Sequence, residues 1–103
     1  MKIKVEREKI IKAVKKLEGI ELVLDDSSDA KEAIDLILRR TELFNSDHYQ
    51  KLNDVKVTPI QEYKTSAVDY KILFLLDFVF EENVSLDTKA GFIKDLQSFF
   101  SKL

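Results

Sequence analysis

Residues 71 to 80, KILFLLDFVF, restrict this chain more than any other stretch. Eight of the ten are large and apolar, so they need cover on more than one side. One, Asp77, is a carboxylate that needs water or a partner. A membrane helix takes roughly 18 to 20 consecutive apolar residues, and Lys71 and Glu81 bracket this run too closely. No membrane span is expected, which leaves a core element or a docking surface.

Chain punctuation favours helices. Gly19, Gly91 and Pro59 are all the glycine and proline in 103 residues, and many-turned β folds use more. The pattern predicts a mainly α fold: a compact bundle of four main helices at about 6–18, 29–44, 61–82 and 88–102, with a short helical turn near 47–52. In the first helix Ile10, Val14 and Leu17 share a face, and Gly19 stands where a C-terminal cap is expected. DDSSD at 25–29 offers caps and first-turn acids to the second, whose inward stripe includes Ala30, Ala33, Ile34, Ile37 and Leu38. Phe92, Leu96, Phe99 and Leu103 make the inward line of the fourth.

Three short stretches alternate instead. Met1 to Val5 and Val55 to Val57 leave room for a minor β pairing of 2–5 with 55–58, with Pro59 confining it to an edge. Ile20, Leu22 and Leu24 suit a strand or an extended link. The length fits a single helical domain over 1–103.

Placed at 100° steps, the third predicted helix is apolar nearly all round and would be central in the bundle. Its one polar strip holds Tyr63, Ser66, Tyr70, Asp77 and Glu81. That strip either faces water, finds a buried partner such as Tyr70 or a lysine, or borders a docking surface. The candidate partner surface is Tyr70, Phe74, Asp77, Phe78 and Glu81, because aromatic residues beyond the needs of a core mark partners.

Several chemistries fail on residue identity. There is no cysteine, so disulfides and thiolate sites are absent. A calcium loop starting at Asp25 would place Ser27 and Asp29 well, but needs glycine and a bidentate acid where Ala30 and Leu36 stand. His48, the one histidine, has Asn45 where a Glu-x-x-His iron site needs an acid, and its neighbour Asp47 would point away on a helix. No nucleophile elbow, zinc-protease motif or glycine-rich phosphate loop occurs. The acid pairs Asp25–Asp26 and Glu81–Glu82 fall at predicted helix ends. No catalytic, cofactor-binding or metal residue is nominated, and a non-enzymatic protein is expected.

Charge is uneven. The net charge is −2, yet residues 1–18 carry seven lysines and arginines against three glutamates, a local +4. Lys9, Lys12, Lys15 and Lys16 make a candidate basic face on the first helix. No aromatic residue interleaves them, so nucleic acid is a disfavoured partner. No secretory leader pattern is visible at the N-terminus, and a cytoplasmic location is expected.

MKIKVEREKIIKAVKKL resembles the opening of bacterial DNA sliding clamps, a short strand followed by a Lys-rich helix. That resemblance covers about seventeen residues and implies a strand at 2–5, with no function attached. In size, acidity and lack of cysteine the whole chain resembles small helical proteins of phages and prophages of Gram-positive bacteria. It also resembles bacteriocin immunity proteins, which are four-helix bundles of about this length. These resemblances imply a helical protein that binds another protein. The resulting expectation is a non-enzymatic protein–protein interaction module, partnered by another protein or by a second copy of itself. Alternatives are an immunity-type protein and a nucleic-acid-associated regulator using the basic face.

Overall fold

The computed structural model describes residues 1–24, 29–40, 52–63 and 70–103. Among them are three helices and a three-stranded antiparallel sheet: β1 (Lys2–Glu6), α1 (Arg7–Glu18), α2 (Asp29–Arg40), β2 (Leu52–Tyr63), β3 (Tyr70–Phe80) and α3 (Leu86–Ser101). The strand order is β1-β3-β2. The mainly α bundle of four helices is therefore overturned, and with it the four-helix architecture that the immunity-protein resemblance implied.

The correction centres on the third predicted helix, 61–82. Residues 61–63 close β2, and KILFLLDFVF lies in β3, the central strand. Periodicity alone cannot separate a buried strand from a buried helix when the run is apolar throughout. Aromatic and β-branched content separates them better: Ile72, Phe74, Phe78, Val79 and Phe80 prefer a pleated surface. A strand also resolves the all-round apolarity. Its two faces need only two covers, whereas such a helix needs packing on every side.

The remaining boundaries shift less. The helix expected over 29–44 is α2 as far as Arg40, and 41–44 lie outside the described residues. So do 47–51 of the expected short turn, while Leu52 opens β2. Both stretches of the proposed 2–5 with 55–58 pairing are strands, but β3 separates them and pairs with each. Residues 20–24 form an extended link, not a strand.

One core holds the layers together. The even-numbered residues Phe74, Leu76 and Phe78 of β3 face the helices, joined by Ile3 and Val5 of β1 and Val55 of β2. Ile10, Ala13 and Val14 of α1 meet Ala33, Ile34 and Ile37 of α2 in that same core. From α3 come Phe92, Leu96 and Phe100, so the inward line passes through Phe100, and Phe99 and Leu103 are half-buried at its sides. Phe92 lies edge-on to Phe78 and Phe80, with centroid separations of 5.3 and 5.5 Å.

Local chemistry sets the ends. Gly19 has φ of 69° and donates its N–H to the Lys15 carbonyl at 2.8 Å, closing α1 in the left-handed conformation that glycine adopts without strain. Ser85 caps α3, its hydroxyl accepting from the Thr88 N–H at 3.1 Å. Asn83, at φ of 65°, turns the chain between β3 and α3, and asparagine tolerates that region better than most residues.

Pro59 is accommodated by register. The Phe78 N–H donates to the Met1 carbonyl, so the polar groups of even-numbered β3 residues point toward β1. Their β2 partners Val55, Val57 and Pro59 consequently turn their own polar groups away from β3, to the open edge. The N–H that proline lacks would have had no ladder partner.

Candidate interaction surface

The five residues of the expected partner surface separate in the structure. Phe74 and Phe78 are buried in the core, 0% and 3% exposed. Asp77 points to the opposite face of the sheet, away from the helices. Glu81 is exposed just after β3. Tyr70 opens β3, and its side chain lies outside the described residues. Helical spacing grouped these residues, and strand spacing divides them between two faces.

Asp77 has a specific setting on the outer sheet face. Its register partners are Lys2 on β1 and Lys56 on β2, so a carboxylate on the central strand lies between two lysines. The Met1 ammonium is 3.7 Å away. The carboxylate is about one-third exposed, so cross-strand cations and water share it. Beyond it on the same face lie Leu75, half-buried, and Leu73, which is buried without joining the main core.

On the basic face of α1, Lys12, Lys15 and Lys16 are exposed and Lys9 is half-buried. Two of the four are engaged. Lys9 Nζ donates to the Leu103 carbonyl at 3.2 Å, and Lys15 Nζ pairs with Glu21 at 2.9 Å. Lys12 and Lys16 remain as the outward charges of that face.

The α2–β2 contact carries its own polar clamp. Lys31 Nζ donates to Asp54 Oδ1 at 3.0 Å and to the Val55 carbonyl at 2.8 Å, with Asp35 Oδ2 at 3.8 Å. The Lys31 hydrogen bond, the Val55 N–H and the lysine charges hold the Asp54 carboxyl below its ordinary value. Lys31 thus closes one of the carbonyls that the β2 edge would otherwise offer to another strand.

Two hollows open on the surface. A small one of about 220 Å³ lies between β1 and the end of α3, walled by Ile3, Val5 and Phe100 and rimmed by Lys4, Glu6 and Lys9. A larger groove of about 490 Å³ runs between the end of α1, the 20–24 link and α2. Val14, Ile20, Leu22, Ala33 and Leu36 line it, and Glu32 and Arg39 flank it. The link that forms one wall is held at its far end by Arg7, whose Nη1 lies 3.5 Å from the Leu24 carbonyl. Leu24 is buried, yet Ile20 is 54% and Val23 88% exposed. Arg40 Nε sits 2.6 Å from Glu18 Oε1 at the close of α1.

Sequence reasoning did not find this groove. Alternation in IELVL marks Ile20, Leu22 and Leu24 as one set, but only packing shows that Leu24 goes in while Ile20 and Val23 stay out. The spacing of Glu32, Leu36 and Arg39, i, i+4, i+7 on one helix face, was the available signal.

Among the described residues no cluster of three or more His, Cys, Asp or Glu could hold a metal ion. No helix among them is long and apolar enough to cross a membrane. Comparison with protein-family models, with curated proteins and with solved structures finds no match to this chain.

Proposed function

We propose that this chain is a non-enzymatic protein–protein interaction module whose docking surface is the groove between α1, the 20–24 link and α2. The observation that carries the reading is the exposure of Ile20 and Val23 beside an aliphatic groove of about 490 Å³. Adjacent exposed apolar side chains along a concave surface are the usual mark of a partner site. The charged groups fit that use. Glu32 and Arg39 are seven residues apart on one helix, about 10 Å along its axis. They flank the apolar patch as a polar rim and do not converge on one small polar ligand.

A photo-crosslinking side chain at position 23 tests the reading in cells that express the protein. A product that depends on this position and disappears with Ile20→Asp is expected, while the same probe at Glu82 gives none. Absence of any product at position 23, another protein or a second copy alike, would overturn the reading.

A further inference from the structure

We propose that the groove's partner is a second copy of this chain, in a two-fold dimer formed by antiparallel packing of α2 on α2 across Leu36. This rests on the interaction reading above and names its partner. A two-fold interface must be self-complementary, each residue meeting its counterpart through the axis. The α2 stripe satisfies that condition. Glu32, Leu36 and Arg39 fall within about 40° of one another around the helix. Reversing one copy about an axis near Leu36 sets Glu32 against the second copy's Arg39 and, by symmetry, Arg39 against its Glu32. The two leucines meet at the centre, and Ala33, one turn before Leu36, leaves the groove floor shallow enough to receive one.

Other observations single out this face. Glu32 and Arg39 are both exposed and, among the described residues, neither has an ion-pair partner. Both ends of the stripe are thus available to a second molecule. The exposed faces elsewhere are poorly self-complementary. The α1 face would bring Lys12 and Lys16 against the same charges, since both sit in its last two turns. The outer sheet face presents Lys2, Lys4 and Lys56 around one central acid. Along α3, the exposed residues Lys94, Asp95, Gln97 and Ser98 offer no apolar centre.

Charge reversal tests the pairing, because both positions are exposed and the fold should survive; circular dichroism checks that. Sedimentation velocity and light scattering across a concentration series should give a dimer for the native chain. Glu32→Arg alone and Arg39→Glu alone each place like charges together at two symmetric points and should weaken the dimer at least tenfold. The double variant should restore it, and an equimolar mixture of the two single variants should form a mixed dimer. A native chain that stays monomeric at several hundred micromolar, or single variants that dimerise as the native chain does, would overturn the proposal. A position-23 crosslink to a different protein with a monomeric native chain would overturn the self-partner while leaving the interaction reading in place.

Discussion

The Lys31 ammonium joins α2 to the edge of the sheet, 3.0 Å from the Asp54 carboxylate and 2.8 Å from the next carbonyl, that of Val55. The lysine is the first cause of the lowered Asp54 value. A carboxyl whose folded value is depressed stabilises the fold above its unfolded value, and that contribution is lost as pH falls through the folded value. Asp54 therefore contributes above about pH 4 and ceases to contribute below it. Lys31→Met should raise the Asp54 midpoint toward the ordinary carboxylate range, and Asp35→Asn should leave it nearly unmoved. Carboxyl titration by NMR reads both. An unchanged midpoint in Lys31→Met would remove the clamp.

Asp77 lies in register between Lys2 and Lys56 on a partly exposed sheet face. Ion pairs in such settings contribute about 0 to 1 kcal/mol. Asp77→Leu should thus change unfolding free energy by no more than about 1 kcal/mol. It should nonetheless lower solubility, because it extends an aliphatic row with Leu73, Leu75 and Val79. Urea denaturation and a solubility limit measured side by side decide it; a loss of several kcal/mol would mean that Asp77 anchors a buried network.

The legible parts of this fold were those with local chemistry. Gly19 and the i, i+3, i+4 stripes of α1 and α2 speak for helices that nothing else contradicts. The strand at 2–5 alternates cleanly because only one face of β1 is buried. The run at 71–80 was illegible for the opposite reason. A central strand with both faces occupied loses its alternation, and the apolar run then satisfies helix and strand alike. Asp77 was the residue that misled, since it completed a plausible helical strip with Tyr70 and Glu81. In the strand it marks the outer face, and Lys2 and Lys56, distant in sequence, explain it. The groove was illegible because Ile20 and Val23 differ from Leu24 only in what packs over them.

The left-handed turn after α1 makes Gly19 the residue whose replacement is easiest to read. Nothing lies within 4 Å of a Cβ built there, so any cost comes from its φ of 69° and not from a clash. Gly19→Ala should destabilise by about 1 to 2 kcal/mol, and Gly19→Asn by less, since asparagine visits this region. Chemical denaturation of the two variants gives the order; equal stabilities would show that backbone conformation is not limiting.

Phe92 holds α3 on the sheet through two ring contacts, to Phe78 on the inner face of β3 and to Phe80 near its end. Phe92→Ala should cost about 3 to 5 kcal/mol, the range for a buried aromatic truncated in a core. Phe92→Leu retains most of the volume and should cost less than half as much. A double-mutant cycle of Phe92→Leu with Phe78→Leu should show coupling of about 0.5 to 1.5 kcal/mol from the edge-on geometry. Coupling near zero would reduce the pair to plain apolar burial.

Glu18 and Arg40 join the last residues of α1 and α2. Glu18 Oε1 is enclosed and makes no hydrogen bond of good geometry, yet the Arg40 Nε is 2.6 Å away. The contact therefore acts as a close ion pair, and Arg40, 61% exposed, brings water to one side of it. Removing the arginine should do more harm than removing the acid. Arg40→Ala strands an enclosed carboxylate oxygen, with a cost of about 1 to 3 kcal/mol, whereas Glu18→Ala returns an exposed guanidinium to solvent. The double variant should recover part of the Arg40→Ala loss, giving a coupling of about 1 kcal/mol. Denaturation of the three variants at low and high salt completes the cycle. Additive losses, or equal losses for the two single variants, would show that the pair does not hold the helices' ends together.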